Sequence, residues 1–235
     1  RLFAPQVSAL SDIAEIVVPD WRRAPLSIWD SWQSAARWIV DLMPPGKFAM
    51  AGLSLGGMLA VEIMQNAADR VTKLALLDTG MRSQNEVERA IRRARIRLAE
   101  EGHFELVLGL QMSRFIPAYR LPDKKLADEV MTMCGEIGVE IYKRQEELAA
   151  VRADRRPDLP RIKCPTIVVC GRDDAATPLF LSEEMAKAIP AAALVINAHF
   201  RLWGHQFIYD EATLAGALRD AGFNSVRRYR LGMSE

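Results

Sequence analysis

A serine between two glycines, Gly52-Leu53-Ser54-Leu55-Gly56, follows the apolar run at 48–51 and is itself followed by Gly57. A serine hydroxyl is a weak nucleophile until a general base takes its proton. A sharp strand-to-helix turn would hold the hydroxyl clear of the sheet, and glycines serve where side chains would collide in so tight a turn. The turn would also place the Leu55 N–H at a helix N-terminus, where it can stabilise an oxyanion. Acyl transfer by such a serine needs an imidazole as base and a carboxylate to orient it. In a strand–turn–helix setting these follow in the chain order serine, acid, histidine. Asp173 and Asp174, in "CGRDDAATP", supply the carboxylate, with Asp174 preferred and its neighbour left as a turn residue. Asp78, which closes another apolar run, is the alternative acid, and Asp20 is read as a loop residue. Of the three histidines, His205 in "WGHQ" is the expected base and His199 the alternative. His103 precedes the acids in the chain and is expected on a helix face.

These side chains need a frame. "AEIVVPD" (14–20), "KFAMAG" (47–52), "VTKLALLDTG" (71–80), "PTIVVCG" (165–171) and "AALVIN" (192–197) are short apolar runs that read as strands. Ile28, Trp32, Ala35, Ile39 and Leu42 fall on one face of a helix, capped by Ser27 with Asp30 and stopped at Pro44-Pro45. Helical patterns at 57–68 and 179–189 complete an alternation of strand and helix. That rhythm implies an α/β fold with a mostly parallel sheet and helices on both faces. In such sheets reactive groups gather beyond the carboxyl ends of the strands, which is where Ser54, Asp78 and Asp174 fall. From about 83 to 156 the rhythm stops, and helical spacing with a proline-rich break at 117–122 predicts a helical insertion.

Composition narrows the function classes. Lys plus Arg number 31 against 30 acidic residues, so no net field favours nucleic acid or an anionic membrane. No apolar run reaches the ~18 residues of a spanning helix, and no signal peptide is visible. Cys134, Cys164 and Cys170 form neither a disulfide framework nor a close metal-type spacing. The expectation is a cytoplasmic enzyme of small molecules, with no metal or organic cofactor, and with its oligomeric state open.

The chain resembles the α/β-hydrolase superfamily. The likeness covers about 1–196 and rests on "GLSLGG" as nucleophile elbow and "CPTIVVCGRDDAATP" as acid strand and loop. "RLFAPQVSALSDIAEIVVPD" and "RVTKLALLDTG" match more weakly. It implies a serine hydrolase acting on a carboxylic ester or related small acyl compound through Ser54, His205 and Asp174, with Leu55 an oxyanion donor. Gly171 and Pro178, flanking Asp174, support that acid. A serine at the elbow argues against a dehalogenase with a carboxylate nucleophile. The implied division is a core at 1–80, a helical cap at 81–160, a core segment at 161–198 and an atypical tail at 199–235. Two departures stand out. The His-Gly strand that usually precedes "RLFAPQV" is absent, so the chain reads as N-terminally truncated unless 14–19 and 47–51 pair directly. The tail, with "WGHQFIYDEATL" and "LRDAGFNSVRRYRLGMSE", resembles the end of an S-adenosylmethionine-dependent methyltransferase, although no cofactor-binding turn precedes it. A catalytically defective or non-catalytic hydrolase-like chain is therefore the alternative.

Overall fold

The computed structural model describes residues 2–197. Four strands, β1 (Phe48–Leu53), β2 (Val71–Leu77), β3 (Thr166–Gly171) and β4 (Ala192–Asn197), form one sheet in the order β1-β2-β3-β4. Every neighbouring pair is parallel, with Gly52 opposite Leu76 and Leu76 opposite Val168. Parallel strands require crossovers, and helices supply them. α3 (Leu55–Ala67) joins β1 to β2, and α8 (Leu179–Ala188) joins β3 to β4. α1 (Ala4–Leu10) and α2 (Trp32–Leu42) precede the sheet. Helices cover both faces. The core sits between them, where Val61 and Ile63 of α3 meet Leu74 and Leu76 of β2, Val168 of β3 and Met185 of α8.

Two sequence expectations fail at the N-terminal end. Residues 14–20 are not a strand but irregular chain, and Val17 and Val18 remain 40% and 48% exposed. A β-branched run becomes a strand only where a neighbour offers a hydrogen-bonding edge, and this run does not pair with β1 or any other described strand. The helix that follows starts later than expected. Residues Leu26–Asp30 form a separate 3₁₀ turn, and Ser31, not Ser27, caps α2 by accepting the Ser34 N–H at 3.0 Å. Ile28 and Trp29, within this turn, still reach the interior.

The expected helical insertion lies between β2 and β3. It comprises α4 (Glu86–Leu98), α5 (Phe104–Phe115), α6 (Lys124–Gly135) and α7 (Val139–Ala150). Asn85 opens α4 with a reciprocal capping box to Glu88. The chain leaves and returns through one neck, where the Arg155 N–H donates to the Met81 carbonyl at 2.8 Å. α7 docks on the front of the core: Leu148 packs with Ile28 and Trp29, and the Trp32 indole N–H donates to the Leu148 carbonyl at 3.0 Å. No helix among the described residues is long and apolar enough to cross a membrane.

Candidate active site

Ser54 occupies the one-residue hinge between β1 and α3, with φ 52° and ψ −114°. Left-handed backbone costs a non-glycine residue energy and persists only when its surroundings impose it. Here three hydrogen bonds do so. The Ser54 N–H donates to the Leu77 carbonyl at 3.0 Å, while its own carbonyl accepts the Gly57 N–H at 3.0 Å and the Thr79 hydroxyl at 2.7 Å. A Cβ on Gly52 would lie 2.3 Å from the Gly56 carbonyl oxygen, and one on Gly57 would lie 2.6 Å from Thr79 Cγ2. The sequence pattern assigns the clearance to Gly52 and Gly56. The structure assigns it to Gly52 and Gly57, since space beside Gly56 is open. Leu55 is the first residue of α3, so its N–H lies outside the helix's own hydrogen-bond ladder.

The second positive-φ residue other than glycine among the described residues is Asp78, at φ 39° beyond the end of β2. Both strained residues thus sit at the carboxyl ends of adjacent strands. Asp78 tethers the third strand end: its N–H donates to the Val169 carbonyl at 2.9 Å, and its Oδ1 accepts the Gly171 N–H at 2.8 Å. Asp174 lies alongside, in the loop after β3. Its Oδ1 accepts the N–H groups of Ala176 and Thr177 at 2.7 and 2.8 Å, and its Oδ2 accepts the Thr177 hydroxyl at 2.6 Å. Three donors suit an ionised carboxylate and leave one acceptor site on Oδ2. Asp78 has fewer donors and is more enclosed. Burial, together with the neighbouring Asp174 carboxylate, pushes its pKa up to about 7. Of the two acids, Asp78 is the one whose surroundings favour keeping its proton.

Asp78, Cys170 and Asp174 are also the group whose oxygen and sulfur atoms lie within 4.8 Å of one another. The donor set does not suit a metal. Burial drives the Cys170 thiol up to about 12, and it donates to the Gly171 carbonyl at 3.2 Å, whereas metal binding needs a thiolate. The oxygens of Asp174 are mostly taken by the protein's own donors.

The remaining candidates are placed as follows. Asp173 is exposed beside Asp174. Asp20 is engaged by Arg22 at 2.8 and 2.9 Å, which holds its pKa down to about 2, and it caps a short 3₁₀ turn. His103 is exposed between α4 and α5, away from the strand ends, as expected. His199 and His205 lie outside the described residues.

Ser54, Leu55, Asp78 and Asp174 all line one cleft of about 940 Å³. Its floor is the sheet end and the exposed flank of β1, and the insertion contributes Ser113, Arg114, Phe115 and Tyr119. A serine at a strand–helix turn, an aspartate in the loop two strands away and helices of the insertion over the same cleft invite comparison with known proteins. Residues 1–215 match the model of the alpha/beta hydrolase family. The chain belongs to that family. Among curated relatives, a Rhizobium rhizogenes protein named "Putative carbamate hydrolase RutD" is 27% identical over 212 residues, covering 83% of this chain and 78% of the relative. A like-named protein of Caulobacter is 25% identical over 205 residues, covering 83% and 76%. Among solved structures, the enol-lactonase from Burkholderia xenovorans superposes with a TM-score of 0.70 at 22% identity, over 94% of this chain and 85% of the other. A thermophilic esterase from Thermogutta terrifontis gives 0.68 at 23% identity, over 83% and 75%. The chain is thus an alpha/beta hydrolase, in keeping with the resemblance read from "GLSLGG" and "CGRDDAATP".

Proposed function

We propose that this hydrolase acts on a small carboxylic ester or related acyl compound through an acyl-enzyme on Ser54. The observation that carries the reading is the backbone of Ser54, held at φ 52° by the end of β2 in a cleft shared with Asp174. In this scheme the Ser54 oxygen attacks the acyl carbon while the histidine takes its proton. The Leu55 N–H stabilises the oxyanion, the histidine returns the proton to the leaving alcohol, and the ester becomes an acyl-serine. The same base then deprotonates water, which attacks the acyl carbon, releases the acid and restores the serine. Asp174 orients the imidazole through its remaining acceptor site. His205 is the base of choice and His199 the alternative. The helices α4–α7 act as the cap that closes the cleft and selects the acyl group. The names of the relatives, a carbamate hydrolase, an esterase and an enol-lactonase, all describe cleavage at an acyl carbon and agree with this class.

A second reading, a hydrolase-like chain that binds without turnover, draws on the outer edge of β1. Ala49 and Ala51 stand exposed there, and no described strand pairs with that edge. Hydrolysis of a small nitrophenyl ester separates the two. Activity is expected in the parent chain and in His199→Ala, and is expected to be lost in Ser54→Ala and His205→Ala. Loss in His199→Ala alone transfers the base to His199, and turnover undiminished in Ser54→Ala refutes the scheme.

A further inference from the structure

The charged lining of the cleft is mixed. The core contributes Asp20, Arg22, Asp78, Arg172, Asp173 and Asp174, and the insertion contributes Arg114 and Glu136. Arg22 lies between Asp20, at 2.8 Å, and Glu136, at 3.6 Å. Arg114 belongs to a cluster of like charges. Arg92 and Arg95 of α4 share a single buried carboxylate, Glu146 of α7, at 2.8 and 3.8 Å. Arg92 also donates to Gln84 at 2.7 Å and Arg95 to Gln111 at 2.6 Å, which uses the polar side chains nearby. Arg114 is left over. Among the described residues no carboxylate, carbonyl or hydroxyl accepts a hydrogen bond from its guanidinium. Partial burial and the charges of Arg95 and Arg92 push its pKa down, and Asp174 across the cleft is among the anions it senses. A cation held near two others, with its five donors unused, is a place where an anion gains both charge and hydrogen bonds.

Resting on the reading of Ser54 as nucleophile, we infer that the preferred substrate carries a carboxylate at the end remote from the scissile acyl carbon, and that Arg114 binds it. A guanidinium suits this task because its planar fork matches a carboxylate with two parallel hydrogen bonds. Arg92 and Arg95 strengthen the field from behind without touching the substrate.

The test is binding without turnover. In a Ser54→Ala chain at low salt, calorimetry compares monomethyl succinate, an anion, with its neutral dimethyl ester. The anion is expected to bind more tightly, to weaken as salt is added, and to lose roughly ten- to hundredfold in affinity on Arg114→Gln. The diester is expected to be unaffected by that change, and Arg114→Lys to retain part of the preference. Because the Arg114 guanidinium has no acceptor among the described residues, both variants are expected to keep the parent's circular dichroism and melting temperature. Equal affinity for the two esters, no binding of the anion, or no change on Arg114→Gln overturns the inference. None of these outcomes depends on Ser54 chemistry, so a failure here is separate from a failure of the hydrolase scheme.

Discussion

The corner where β1, β2 and β3 end and the helical insertion above it are held together by different means. At the corner, main-chain bonds from Ser54 to Leu77 and from Asp78 to Val169 join the three strand ends, and two short side chains, Asp78 on the Gly171 N–H and Thr79 on the Ser54 carbonyl, add to them. In the insertion, long side chains do the fixing, through Arg92, Arg95, Gln84, Gln111 and Glu146. Main-chain stitching fixes a nucleophile's position with little dependence on side-chain identity. Side-chain networks leave charges in place that a ligand can complete, and they can be re-spelled by mutation without moving the strand ends. In the proposed scheme chemistry would fall on the rigid part and selection on the adaptable part.

That contrast can be broken most forcefully at Gly52. Replacing it with alanine drives a Cβ against the Gly56 carbonyl, backbone against backbone, and is expected to cost about 3 kcal/mol or more in denaturant unfolding, with loss of the elbow. Gly56→Ala, one turn away in open space, is expected to be neutral or slightly stabilising, because alanine is the better helix former. Similar costs at both glycines would mean that the clearance does not reside at Gly52.

In the insertion, Glu146→Ala strips the shared carboxylate from Arg92 and Arg95, whose side chains are only 16% and 14% exposed. Leaving buried guanidiniums without their counter-charge is expected to cost about 3 kcal/mol. The elbow should survive it, so labelling of Ser54 by an active-site reagent in the folded variant should persist. Coupled loss of both would show that the two regions are one cooperative unit.

The smallest effect is at the proton held by Asp78. With its pKa near 7 in the fold, against 3.8 for an ordinary aspartate, Asp78 keeps a proton that the unfolded chain has already released. The stability that this proton contributes is therefore expected to be fully present below about pH 4, to fall as pH rises towards 7, and to be absent above. Asp78→Asn keeps the acceptor for the Gly171 N–H and removes the titration, so its melting temperature should lose that slope across the same window. An unchanged slope would place the proton elsewhere.

What the sequence revealed follows the same division. Ser54 was legible because glycine spacing and the switch from strand to helix are both local. Asp174 was legible because it follows a strong apolar run. The pairing of Asp78 with Asp174 was not, since it depends on β2 lying beside β3, and the two acids are far apart in the chain. Asp78 was weighed only as a rival acid, and its positive φ has no signature in "LLDTG". The apolar run at 14–20 misled because a strand is a property of two segments, not one. Arg114 gave no signal among so many arginines; only the exhaustion of its neighbours' partners singles it out. The proposed base, His205 or alternatively His199, lies outside the described residues.

The central claim, that the strained serine is a nucleophile activated by its surroundings, is tested most directly by a fluorophosphonate. Intact mass and peptide mapping of the native chain should show one phosphonylation, on Ser54, absent from Ser54→Ala and from heat-denatured protein. A folded chain that takes up no label, or one labelled equally in Ser54→Ala, contradicts it.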